Sequence, residues 1–94
     1  MQYRLDKNLL LNILKTWDGF LNKKVQLVAC GGTAMTLLGI KDSTADIDFL
    51  IPVDEEYIDL VSMLDETGYK KVHSTRWAGK DNFIYDLYAG NVIF

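Results

Sequence analysis

Residues 28–51 read VACGGTAMTLLGIKDSTADIDFLI, and two features of this stretch govern the rest of the chain. The first is a glycine pair backed by a hydroxyl, Gly31-Gly32-Thr33, at the end of the apolar run Val25, Leu27, Val28, Ala29 and Cys30. That run predicts a buried strand, ended by the glycines and followed by a short helix over 33–38. The second is Asp46-Ile47-Asp48 leading into Phe49-Leu50-Ile51. On a strand, residues i and i+2 share a face and lie roughly 6.5 to 7 Å apart, so Asp46 and Asp48 reach toward a common ion while Ile47 turns into the core. A glycine turn opening a helix supplies free N–H groups and the positive end of a dipole, and Thr33 adds a hydroxyl that donates to a phosphate or caps the helix. Together the two features point to a metal ion and a nucleotide.

Outward from this stretch the apolar spacing is regular. Leu5, Leu9, Leu10, Ile13, Leu14, Trp17 and Leu21 predict a long amphipathic helix over 5–21. Residues 39–44 carry loop chemistry, and Pro52 ends the aspartate strand. Asp54 is the expected N-cap of a third helix with Tyr57, Ile58, Leu60, Val61 and Leu64 on its apolar side, stopping at Gly68. A short strand is expected over 69–73. Another is expected over 82–88, with Phe83, Tyr85 and Leu87 on one face and Ile84, Asp86 and Tyr88 on the other; a further one follows Gly90 at 91–94. The order helix, strand, helix, strand, helix, strand, strand predicts an α+β fold, a mixed β-sheet flanked by helices.

Ninety-four residues make one small domain, 49% hydrophobic and 24% charged, with enough chain for a single core. No segment supplies the roughly 20 apolar residues of a membrane span, and the N-terminus lacks the apolar centre of a signal peptide, so a cytoplasmic location is expected. The net charge of −3 argues against long DNA as a ligand. Cys30, the one cysteine, reads as a buried structural thiol. Lys70, Lys71, His73, Arg76 and Lys80, with Trp77 among them, read either as a solvated hairpin or as a grip on triphosphate oxygens. Lys41 reads mainly as a solvated lysine, with a phosphate contact as the alternative.

Asp86 stands in an otherwise apolar and aromatic strand, a costly place unless it is paired, hydrogen-bonded or metal-bound. Either it lies on an exposed edge or it completes a triad with Asp46 and Asp48. Three nearby carboxylates hold protons unless a divalent cation favours their ionised forms, and magnesium suits such a site because it fills its shell with water and substrate phosphate.

A glycine pair followed by Ser or Thr, about a dozen residues, an Asp-x-Asp strand and a third Asp on a later strand is the pattern of the nucleotidyltransferase superfamily typified by DNA polymerase beta. Residues 25–90 resemble that family, particularly its minimal members and the toxin-type enzymes of toxin–antitoxin loci. The resemblance implies a single nucleotidyltransferase-like domain over 1–94, either a minimal protein or the N-terminal part of a longer one. It implies transfer of a nucleoside monophosphate from a nucleoside triphosphate to a hydroxyl, with Mg²⁺ or Mn²⁺ as cofactor. Asp46, Asp48 and Asp86 would be both catalytic residues and metal ligands, with Asp86 helping to deprotonate the attacking hydroxyl. Gly31, Gly32 and Thr33 would bind the nucleotide's phosphates. The acceptor, whether tRNA, protein or small molecule, stays open. Larger relatives carry a helical domain after the catalytic sheet, so a protein partner or a second copy of the chain is a candidate to supply that surface. Two alternatives stay open: a non-catalytic nucleotide- or protein-binding module that retains the fold, and an interaction subunit that presents Trp17 or Trp77 to another protein.

Overall fold

The first helix starts where Asp6 accepts a hydrogen bond from the Leu9 amide at 2.9 Å, which fixes its N-terminus. In the computed structural model, which describes residues 4–79, 81 and 83–90, this helix is α1, Lys7–Phe20. Its buried residues, Leu10 and Trp17, stand two turns apart on one stripe. Strand β1 (Val28–Ala29) precedes α2 (Gly31–Leu37), strand β2 (Asp46–Ile51) and α3 (Asp54–Glu66). Strands β3 (Lys70–Lys71), β4 (Arg76–Ala78) and β5 (Ile84–Ala89) complete the described chain.

The five strands form one mixed sheet in the order β1-β2-β5-β4-β3, with β2 and β5 parallel and the other neighbours antiparallel. The domain is therefore α+β, as its periodicity predicts. Ile47, Phe49 and Ile51 alternate with Asp46, Asp48 and Leu50 along β2, and Tyr85 and Leu87 do the same on β5. On the inward face these residues join Trp77 of β4, Leu10 and Trp17 of α1, and Leu60, Met63 and Leu64 of α3 in one core. Trp17 lies at its centre, its ring 5.4 Å from that of Tyr85 and 6.4 Å from those of Phe49 and Tyr69, and its Nε1 donates to the Tyr69 hydroxyl.

Several expectations are corrected. The glycine pair lies inside α2 rather than before it, since the helix begins at Gly31 itself. Only Val28–Ala29 of the expected first buried strand pair, and they form a sheet edge with Val28 41% exposed, because β2 is their single neighbour. Cys30 is accordingly partly exposed, not buried. The N-cap of α3 is Val53, which leaves Asp54, Glu55 and Glu56 in the first turn, where their charge favours the helix dipole. The expected stop at Gly68 is present as a positive-φ residue beyond the C-cap Thr67; Tyr69 donates back to Leu64 and Gly68 to Asp65, closing the helix end. The basic segment is a hairpin, but its second arm, β4, buries Trp77 beneath the sheet. Trp17 and Trp77 are 1% and 5% exposed, not the exposed side chains that the interaction reading expects. The strand expected at 91–94 lies outside the described residues.

Candidate functional site

On the outward face, sheet register assembles a polar row from four segments that are distant in sequence. Asp48 is the direct partner of Asp86 across the parallel β2–β5 ladder, and Asp86 is the direct partner of Arg76 across β5–β4. Beyond the edge of β1, the Cys30 amide donates to the Asp48 carbonyl at 3.0 Å. Directly opposed residues share a face, so the row reads Cys30, Asp48, Asp86, Arg76. Asp46 stands two residues before Asp48 on the same face. The three aspartates singled out by their sequence pattern are thus neighbours.

Asp86 is 6% exposed and is not at an edge, because β5 is an interior strand. Its charge is matched by a fork from Arg76: Nε donates to Oδ1 at 3.1 Å and Nη2 to Oδ2 at 3.2 Å. Asp48 has no such partner. Burial first, then the charges of Asp86 and Asp46 and a hydrogen bond to Asp86, raise its pKa to about 6, with the Arg76 guanidinium acting in the opposite direction. Asp86 holds the Arg76 pKa above its ordinary value, and burial together with the two carboxylates raises that of Tyr88, two residues beyond Asp86 on the same face. Three carboxylates against one guanidinium leave two uncompensated negative charges when all are ionised.

The glycines serve this row for different reasons. Gly31 has φ +53°, a conformation other residues rarely adopt, and a Cβ there would stand 3.9 Å from Asp48 Oδ2. Gly32 is held by packing: a Cβ would come within 2.9 Å of Thr44 Oγ1. The Thr33 side chain is fully buried. Its hydroxyl donates to the Asp46 carbonyl at 3.2 Å and accepts from the Asp48 amide at 2.9 Å, so it pins α2 to the aspartate strand instead of facing solvent. Thr44 Oγ1 donates to the same Asp46 carbonyl. The loop before β2 is strapped down in turn, by a two-way backbone bridge between Leu5 and Thr44 and by the Arg4 guanidinium on Ser43. Lys41, in that loop, carries its Nζ back over the start of α2, 3.7 Å from the place of a Gly32 Cβ.

Among the described residues, no three His, Cys, Asp or Glu side chains converge as a ready metal centre, and both Asp86 oxygens face Arg76. An apolar groove of about 400 Å³ between α1 and residues 21–27 is lined by Leu11, Leu14, Trp17 and Val25 and includes none of the three aspartates. Among the described residues no helix is long and apolar enough to cross a membrane. No protein-family model matches the chain, and no curated protein matches it significantly.

In the sequence Arg76 stands only as one of a basic cluster, with no local sign of a link to Asp86. What could have found the link is its place ten residues upstream, within hairpin reach of a buried acid.

Proposed function

We propose that this chain is a metal-dependent nucleotidyltransferase, moving a nucleoside monophosphate from a nucleoside triphosphate to a hydroxyl acceptor on a nucleotidyltransferase-like sheet. The observation that carries this reading is the outward row: Asp46, Asp48 and Asp86 together, with one guanidinium, bound to Asp86, and two negative charges left over when all three are ionised. That deficit equals one divalent cation. The donors are carboxylate oxygens, which suit Mg²⁺ or Mn²⁺, and Asp46 and Asp48 would hold such an ion. Asp86 joins only if it leaves Arg76. When bound, the cation supplies charge neutralisation for the triphosphate and the leaving pyrophosphate.

The chain's own residues then divide the work. Asp46 and Asp48 hold the ion, and Thr33 fixes the backbone that carries them. The Gly31 backbone, free of a side chain beside Asp48, leaves room for phosphate, and Lys41 stands where its ammonium meets phosphate oxygens. Asp86, once free of Arg76, would take the proton of the attacking hydroxyl on its carboxylate. A non-catalytic nucleotide-binding module is the second reading, favoured by the engagement of both Asp86 oxygens with Arg76.

The test is thermal denaturation with each of the four nucleoside triphosphates, with and without Mg²⁺ or Mn²⁺, on the wild type and on Asp46→Asn/Asp48→Asn. A ligand at 100 times its dissociation constant adds roughly 2.7 kcal/mol, about ten degrees or more in a domain this small. A metal-dependent rise that the double variant loses supports the enzyme. A metal-independent rise that survives the substitutions favours the binding module, and no rise with any nucleotide removes both readings.

A further inference from the structure

Asp86 faces two places where positive charge can stand. On one side is the Arg76 guanidinium, fixed by direct pairing across the β4–β5 ladder and joined to both carboxylate oxygens. On the other is Asp48, its direct partner across β2–β5. The Asp86 side chain is 8% exposed, and a carboxylate so placed is stabilised by a cation or by hydrogen bonds at its oxygens, here both supplied by Arg76. With both oxygens in the fork, Asp86 is not free to ligate an ion in this arrangement.

The Arg76 side chain, by contrast, is 49% exposed. Its guanidinium can turn into solvent without displacing the core, because the β4 residue that anchors that core is its neighbour Trp77, on the opposite face. A guanidinium fork matches a phosphate as well as it matches a carboxylate.

We propose that Arg76 is a resident cation that reserves Asp86, and that loading of the site is an exchange in which Asp86 passes to a divalent ion and the Arg76 guanidinium passes to a phosphate of the nucleotide. This rests on the nucleotidyl-transfer reading. It assigns to Arg76 a positioning role toward Asp86 in the resting protein and a substrate-binding role in the loaded one. The exchange makes metal and nucleotide cooperative. Metal alone must displace Arg76 into water, whereas metal with a polyphosphate gives the guanidinium a new partner. Arg76 thereby guards against a metal ion seated without its substrate.

The experiment uses Mn²⁺ and inorganic triphosphate, so that the identity of the base does not enter. Free Mn²⁺ is followed by electron paramagnetic resonance against the wild type, Arg76→Gln, Arg76→Lys and Arg76→Gln/Asp86→Asn, with far-UV circular dichroism as the check on folding. Arg76→Gln is expected to bind Mn²⁺ alone about tenfold more tightly than the wild type, the scale on which groups next to a ligand tune metal affinity, and the added Asp86→Asn to abolish that gain. In the presence of Mn²⁺, triphosphate should bind Arg76→Gln about tenfold more weakly. Arg76→Lys keeps the charge but cannot fork, so it should also gain Mn²⁺ affinity, and it decides the matter if Arg76→Gln does not fold. Unchanged or weaker Mn²⁺ binding in the folded variants, with wild-type binding that depends on Asp48, overturns the exchange and leaves the transfer reading standing. A gain for Mn²⁺ with triphosphate affinity unchanged overturns the passage of Arg76 to phosphate. No Mn²⁺ binding by any of the proteins overturns the exchange together with the reading beneath it.

Discussion

The two faces of β2 and β5 share one backbone and one register, yet their side chains obey opposite rules. Inward, Ile47, Phe49, Tyr85 and Leu87 are at most 2% exposed and pack against Trp17 and the α3 leucines. Each residue there stabilises the fold through area removed from water. Outward, at alternate positions, Asp48 and Asp86 lie side by side, Asp86 compensated by Arg76 and Asp48 held near a pKa of 6 by burial and then by the charges of Asp86 and Asp46. That face carries unbalanced charge that costs stability in the free protein. Charge kept against a local cost makes this face, and not the inward one, the candidate site.

The sharpest way to break this contrast is Asp48→Asn. If the outward face is a nucleotidyl-transfer site, the substitution should lower metal-dependent transfer by about 10³-fold, roughly 4 kcal/mol of barrier, measured with radiolabelled nucleoside triphosphate once an acceptor is in hand. Retained turnover would assign Asp48 no role in the chemistry. On the inward face, Trp17→Ala should cost about 3–5 kcal/mol and lower the melting midpoint by more than about ten degrees, read by circular dichroism.

The contrast sharpens when the stability of Asp48→Asn is measured without metal, because there the change should be a gain. The folded pKa of Asp48, about 6, lies above the ordinary carboxylate value of about 3.9, so between these values the folded state binds more protons than the unfolded one. Stability then falls as pH rises through that window, and the cost is fully present above it. The groups that face Asp48 are Asp86, Asp46, Arg76 and Tyr88. With a discount for solvent at this half-open face, Asp48→Asn should be about 1–2 kcal/mol more stable than the wild type at pH 7 and no more stable near pH 4. Urea titrations at the two pH values test it, and equal stabilities at pH 7 would mean that the site is not strained by charge. The smallest expected effect is Tyr85→Phe, which keeps the core ring but loses the 2.7 Å hydrogen bond to Asp81; about 1 kcal/mol should be lost in the same titrations, independently of metal.

Legibility in the sequence follows the range of the interaction involved. Helix α1 is announced by its own 3.6-residue spacing, and β2 by the alternation from Asp46 to Ile51, which the structure reproduces residue for residue. The edge character of β1, the start of α2 at Gly31 and the burial of Trp77 depend on what packs against them, and local pattern carries no such information. The same division runs through the site. Spacing located Asp46, Asp48 and Asp86, because strand geometry alone puts the first two on one face. The Arg76 fork, and the retreat of the Thr33 hydroxyl into the strand backbone, arise from contacts between elements and were not legible.

The parallel pairing of β2 with β5 also sets an order of assembly. Arg76 and Asp86 are ten residues apart on neighbouring antiparallel strands, a closure that hairpins complete on the order of microseconds. Asp48 meets Asp86 only across a crossover containing all of α3, β3 and β4, and such non-local pairings form late. Asp86 therefore meets its guanidinium before the rest of the sheet closes over it. On that expected order the carboxylate enters the interior already paired, and the second acid arrives against a charge already balanced.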